Sequence, residues 1–348
     1  MEKHNHTFHY NKPFELESGE YLPGFQLRYT VLGNLNADRS NVVWVCHALT
    51  GNSDFTSWWG NLFLDGSVFD PKHYLVICAN TLGGCYGSTG PLSVNPKTGK
   101  PYYHSFPAIT NRDIVRAFDL LRQSLGFEKI HTLIGGSLGG QQVLEWAILQ
   151  NTVFEHIVPV ACNAVHSPWS IAFNEAQRMA ILADATWKEN DERAGTEGLK
   201  AARAIAMLSY RNYEGFAVAQ SEESVEKVGD FRAAAYQQYQ GEKLALRFNA
   251  FTYWTLSKVM DSHNVARGRK NLLLALQSIR AKTQVIGVES DLLFPLSEQK
   301  FLAEHIIKSS FAALQSTHGH DGFLIEFDQF ASILKKFYTT KQEAYCCL

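Results

Sequence analysis

The sequence predicts an α/β fold: a mostly parallel sheet with helices on both faces, interrupted by an inserted block of helices. Three observations predict it. Short apolar runs of buried-strand type alternate with helical patterns up to about residue 165, and again from Ala281 onward. Between them, residues 170–275 are rich in Ala, Leu, Gln, Glu and Arg, with hardly a strand-like run. One apolar run, from Ile130 to Ile134, ends in Gly135-Gly136-Ser137-Leu138-Gly139 and passes at once into a helical pattern. That is a strand, a sharp turn and a helix, with a serine at the apex.

The elements follow in order. Residues 1–23 are polar and turn-rich, and Gly24 to Leu32 alternates like an antiparallel strand. Val42 to Cys46 is a buried-type strand that exits into His47-Ala48-Leu49-Thr50-Gly51. Trp58 and Trp59 fall in a loop or short helix. Tyr74 to Ala79 is the next strand, followed by a glycine-rich loop from Asn80 to Pro91 and an irregular stretch over 93–110. Thr110 caps a helix whose apolar residues Ile114, Val115, Phe118, Leu121 and Leu125 keep helical spacing, and Gly126 ends it. The serine strand and its helix come next; Gly135 and Gly139 let the two approach, and Gly136 and Gly140 loosen the packing further. His156 to Ala161 is another strand. In the helical block, Gly215, Gly229 and Gly241 are read as breaks. Thr283 to Val288 and Phe311 to Leu314 are the last strands, with helices from Ser297 to Ile307 and from Phe323 to Phe337.

Length and composition bound the class. A chain of 348 residues, 45% hydrophobic, fits one large domain carrying an insertion. The expected division is a core over 1–167 and 276–348 and a helical cap over 168–275; the alternative is a helical layer of the core itself. A net charge of −2 offers no basic face for nucleic acid. Six cysteines (46, 78, 85, 162, 346 and 347) form no Cys-x-x-Cys pair, which suits a reducing compartment. The amino terminus has no apolar leader segment, no run is long enough to span a bilayer, and Tyr345-Cys346-Cys347-Leu348 is not a prenylation box. The expectation is a soluble cytoplasmic protein without a membrane partner.

Three polar groups stand at the ends of three apolar strands: Ser137, Asp291 and His320. In a parallel sheet those ends share one edge, the usual place for a site. A serine hydroxyl is a poor nucleophile near neutral pH and needs a base, here His320, oriented in turn by an acid, here Asp291. The chain order Ser, Asp, His is that of the α/β-hydrolase fold. His318 and His47 compete with His320, but Gly319-His320-Asp321 lies between a strand and a helix. Asp321, adjacent to the base, cannot easily reach its far nitrogen and needs another task. The backbone N–H groups of Leu138 and Leu49 are the candidate oxyanion donors, the alternative for the Leu49 loop being an ordinary strand exit. Trp58 and Trp59 are read as core or cap contacts before pocket walls. No metal-ligand spacing and no phosphate motif is present.

The chain resembles the homoserine O-acetyltransferase family, acyltransferases of the α/β-hydrolase fold in methionine biosynthesis. The resemblance is carried by HALTG at 47–51, NTLGGCYGSTGP at 80–91, GGSLGGQQVLEWA at 135–147, SDLLFP at 290–295 and GHDGFLIE at 319–326. It implies Ser137 as nucleophile with Asp291 and His320, Arg203 on the homoserine carboxylate, Asp321 on its ammonium, and Tyr210 with Arg211 lining the site. It further implies acetyl-CoA as co-substrate with no resident cofactor or metal, L-homoserine as acceptor, and a homodimer through the cap. The chain departs from the family pattern at Leu138, Gly322 and Ala185, which bears on acyl-group preference. Succinyl-CoA as donor, serine as acceptor, a capped esterase and a non-catalytic binding protein are the alternatives.

Overall fold

The structure, a computed structural model, describes residues 2–340, so Cys346, Cys347 and the carboxyl-terminal tetrapeptide lie outside the described residues. Eight strands build the main sheet: β1 (His4–Tyr10), β2 (Phe25–Gly33), β3 (Val42–Cys46), β4 (Leu75–Ala79), β5 (Ile130–Gly136), β6 (Phe154–Val160), β7 (Lys282–Val288) and β8 (Ser309–Leu314). Their spatial order is 1-2-4-3-5-6-7-8. β1 pairs antiparallel with β2, and β2 antiparallel with β4; all later pairs are parallel. Every residue of β3 and β4 is buried, which is why both read as unbroken apolar runs.

The sheet separates two apolar layers. On one face Trp44, Leu133 and Ile157 pack against α1 (Asn111–Ser124), α2 (Leu138–Leu149) and residues Leu302 and Ile306. Trp44 and Trp146 meet edge to face with ring centroids 5.0 Å apart. On the other face Val43, Val45, Ile134 and Val158 meet Trp59, Phe323, Phe330 and Phe337. α1 starts as expected: Thr110 accepts the Asp113 N–H, and the Asp113 carboxylate accepts the Thr110 N–H.

The helical block is an excursion whose two ends are stitched together. Val165 and Asn264 form an isolated antiparallel bridge, with His166 N–H bonded to the His263 carbonyl at 2.9 Å and Val265 N–H to that of Ala164 at 3.0 Å. Between them run α3 (Pro168–Leu182), α4 (Thr196–Tyr210), α5 (Tyr213–Ala219), α6 (Arg232–Ala245) and α7 (Ala250–Asp261). α4 packs against α3 and α6 and also against the Gly319–Leu324 turn that carries His320. The chain returns through α8 (Leu272–Gln277), α9 (Leu296–His305) and α10 (Phe327–Thr339). Among the described residues, no helix is long and apolar enough to cross a membrane.

Three local expectations are corrected. Residues 4–10 form β1 in place of a turn-rich segment: its exposed edge position needs no apolar run, and His4, Asn5 and His6 carry no strand signal. Gly215 and Gly241 lie inside helices and do not break them. A Cβ at 215 would fall 2.2 Å from the Thr317 carbonyl oxygen, and one at 241 would fall 2.8 Å from that of Lys200, so both mark close packing. The final helix begins at Phe327, after the short turn over Gly319–Leu324.

Candidate active site

Ser137 sits at the junction of β5 and α2 with φ 57° and ψ −123°, a backbone conformation that a side-chain-bearing residue adopts only under constraint. The constraint is visible around it. A Cβ on Gly135 would lie 2.6 Å from the Gly139 backbone, and one on Gly139 would lie 2.2 Å from the Cys46 carbonyl oxygen. Gly136 and Gly140 do more than loosen the packing. A Cβ at 136 would enter the Phe323 ring at 2.4 Å, and one at 140 would meet Cys162 Sγ at 2.7 Å. All four glycines are therefore imposed by contacts, and the turn presents Ser137 at the carboxyl end of β5.

Asp291 and His320 arrive from the ends of β7 and β8. Asp291 Oδ1 accepts the N–H groups of Leu293 and Phe294 at 2.8 and 2.9 Å, and Oδ2 accepts from His320 Nδ1 at 2.7 Å. The imidazole is held on three sides: Phe294 stacks on it at 5.2 Å, Phe323 meets it edge-on at 5.4 Å, and Tyr210 lies 5.6 Å away. Burial disfavours the charged ring, but the Asp291 charge, the Asp291 hydrogen bond and Asp321 together hold its pKa above the ordinary histidine value. With Nδ1 engaged on Asp291, Nε2 is the ring nitrogen that remains for another partner. Among the described residues no hydrogen bond joins Ser137 Oγ to that ring; both side chains border one cavity of about 350 Å³. Unliganded sites often keep this contact long.

The rival histidines have other positions. His318 is exposed. His47 is buried; its Nε2 accepts the Thr81 N–H at 3.0 Å, so Nδ1 donates to the Ala48 carbonyl at 2.8 Å. Burial pushes its pKa down to about 4 against the opposing Ala48 hydrogen bond, so the ring is neutral and pins the loop that carries Leu49. Leu49 lines the cavity. Leu138 is the first residue of α2, so its N–H stands outside the helix ladder, next to Ser137.

The helical block supplies the opposite wall. Arg203 and Tyr210 of α4 line the cavity, with the guanidinium 5.3 Å from the Tyr210 ring centre. Asp321 lines it too, and Arg211 approaches that carboxylate at 3.3 Å while its Nε donates to Tyr236 Oη at 3.1 Å. The two tryptophans divide their tasks: Trp58 borders the cavity, while Trp59 is buried and donates to the Phe323 carbonyl at 2.9 Å. Arg247 escaped the sequence reading. It lines the cavity and donates to the Thr50 carbonyl at 2.7 Å and to Tyr86 Oη at 2.6 Å, tying the helical block to the Leu49 loop. No local pattern distinguishes it from the other arginines of that block.

A strained serine between a strand and a helix, an acid–histidine pair at the ends of the next-to-last and last strands, and a Ser, Asp, His order define a protein of the α/β-hydrolase class. A family model described as alpha/beta hydrolase fold matches residues 41–327, and the chain belongs to that family. Within it, the chain belongs to the homoserine O-acetyltransferases, an acyltransferase family. It is 51% identical over 338 residues to the homoserine O-acetyltransferase of Cyclobacterium marinum, covering 97% of this chain and 96% of that one. The crystal structure of homoserine O-acetyltransferase from Staphylococcus aureus is 32% identical with a TM-score of 0.82, over 98% and 97% of the two chains. Esterase E22 shares the fold, with a TM-score of 0.87 at 23% identity over 97% and 100% of the chains.

Proposed function

We propose that this protein transfers an acetyl group from acetyl-CoA to the side-chain hydroxyl of L-homoserine, through an acetyl-Ser137 intermediate, in methionine biosynthesis. One observation carries the reading: Ser137 and His320, the latter bonded to Asp291, border the same cavity as the guanidinium of Arg203 and the carboxylate of Asp321. An amino-acid acceptor has the complementary charges, and a guanidinium fork suits its carboxylate.

The sequence of steps follows. His320 Nε2 takes the Ser137 proton as Oγ attacks the thioester carbonyl. The developing oxyanion rests on the N–H groups of Leu49 and Leu138. The C–S bond breaks, the proton passes from His320 to the CoA sulfur, and acetyl-serine remains. Homoserine enters with its carboxylate on Arg203 and its ammonium near Asp321, while Tyr210 packs beside both Arg203 and the imidazole. His320 then takes the homoserine hydroxyl proton, that oxygen attacks the acetyl carbonyl, and the proton returns to Ser137 Oγ as O-acetyl-L-homoserine leaves. The helical wall of the cavity limits water and favours transfer over hydrolysis. The residues named suffice for this chemistry with acetyl-CoA as co-substrate.

Free thiol, followed after mixing the protein with acetyl-CoA and homoserine, tests the proposal. Release above background that disappears in Ser137→Ala is expected; release that survives it contradicts the proposal. Parallel assays with succinyl-CoA and with serine are expected to give lower kcat/KM, and rapid hydrolysis of p-nitrophenyl esters without an acceptor would favour an esterase.

The proposed setting is the cytoplasm, which suits the free cysteines at 46, 78, 85 and 162. The proposed assembly is a homodimer through the helical block. Met179, Leu182, Leu208, Tyr213 and Val218 of α3, α4 and α5 are exposed apolar side chains suited to such a contact. Light scattering on the purified chain checks it.

A further inference from the structure

The sequence shows no metal-ligand spacing, yet the fold brings three ligand-type side chains together from adjacent strands. His131 lies near the start of β5, and Glu155 and His156 lie near the start of β6. One donor atom of each lies within 4.8 Å of the others. Ser137 follows the opposite end of β5, and the six residue steps from His131 at about 3.3 Å each put roughly 20 Å between the two places. This cluster therefore has no part in the acyl-transfer cavity.

We propose that His131, Glu155 and His156 form a binding site for a divalent transition metal of the Zn²⁺ type. The geometry around both rings favours it. His156 Nδ1 is 2.9 Å from the His131 carbonyl oxygen, which only accepts, so Nδ1 carries the proton and Nε2 presents a lone pair. His131 Nδ1 is 2.9 Å from Thr132 Oγ1, which in turn is 2.8 Å from Tyr338 Oη. Metal at His131 Nε2 selects the arrangement in which Nδ1 donates to the Thr132 hydroxyl and that hydroxyl donates to Tyr338. A metal-binding histidine characteristically fixes its second nitrogen on a carbonyl or similar partner in this way.

Charge agrees with this assignment. Glu155 is exposed, and its carboxylate, already within 4.8 Å of a donor nitrogen of each ring, supplies the negative charge. The nearby cation, Lys282, has its Nζ bonded to the carbonyl oxygens of Phe337 and Thr340 at 2.6 and 3.0 Å. Donor atoms around Zn²⁺ stand about 3.4 Å apart in a tetrahedral site, so the cluster must contract by side-chain rotation. Two imidazoles, one carboxylate and water then complete four-coordination.

The test is a Zn²⁺ titration of the full chain, tag-free and chelator-stripped, in competition with a chromogenic chelator. One ion per chain is expected, with a rise in melting temperature. Glu155→Gln and His156→Gln are expected to weaken binding at least about tenfold and to cancel the thermal shift. Glu155→Gln removes an exposed side chain, so it keeps the test interpretable if His156→Gln folds poorly. Acyl transfer by metal-free Glu155→Gln is expected to match that of the metal-free wild type. Absence of binding in the wild type overturns the proposal. So does an affinity unchanged in Glu155→Gln, or one lost only when His4 and His6 of β1 are replaced.

Discussion

Asp321 Oδ2 stands 3.3 Å from Nη1 of Arg211, so the carboxylate that borders the cavity already shares its charge with a cation from the helical block. A substrate ammonium would join this pair as a third partner. Asp321→Asn is expected to raise the KM for homoserine about 10- to 100-fold, the range of a hydrogen bond to a charged group. Acetylation of the enzyme by acetyl-CoA alone is expected to persist. Steady-state kinetics in both substrates checks the split; an unchanged homoserine KM contradicts the assigned role.

The same substitution bears on pH. The Asp291 charge and hydrogen bond, with Asp321, raise the His320 pKa against the opposing effect of burial. A raised pKa means that the base is protonated, and idle, up to a higher pH. The kcat/KM profile is expected to rise through a midpoint above the usual histidine value. In Asp321→Asn that acid limb is expected to move toward lower pH, because one of the charges favouring the imidazolium is gone. A pH–rate series on both proteins decides.

Packing at the elbow makes a stability prediction. A Cβ at Gly139 would fall 2.2 Å from the Cys46 carbonyl oxygen, a backbone atom with no rotamer to escape into. Gly139→Ala is expected to cost at least about 1–3 kcal/mol, as overpacked sites do, and to lower activity by shifting the exit of β3 toward Leu49. Gly229→Ala, with nothing within 4 Å of the added carbon, is the matched control and is expected to be near neutral. Denaturant unfolding of the two variants measures the difference.

Acid stability follows from buried neutral histidines. Burial lowers the pKa of His47 to about 4 and those of His166 and His263 to about 3. On unfolding each regains an ordinary value near 6.5, so between these limits the unfolded chain binds more protons than the folded one. Stability is therefore expected to fall as pH drops from about 6.5 toward 4. Melting temperatures across that range test it; a flat profile contradicts neutral burial of these rings.

The parts of this molecule that declare themselves in the sequence are those set by local pattern. Val42–Cys46 and Leu75–Ala79 are apolar throughout because both faces of the sheet are covered. Ser137 is marked by the glycines that its turn requires, and Thr110 by its capping partner Asp113. What stayed hidden depends on contacts distant in the chain. β1 has no apolar run because it is an exposed edge. Gly215 and Gly241 looked like breaks because the carbonyls that exclude a side chain there belong to Thr317 and Lys200. Arg247 reaches Thr50 across 197 positions, and His131 meets His156 only because their strands are neighbours.

Mass spectrometry of the intact chain and its peptides, after brief exposure to acetyl-CoA without acceptor, examines the covalent step itself. One acetyl group on the peptide containing Ser137 is expected; it should vanish when L-homoserine is added, with O-acetyl-L-homoserine appearing in equal amount. Acetylated product formed by a chain that never carries the group on Ser137, or formed equally well by Ser137→Ala, would contradict the mechanism.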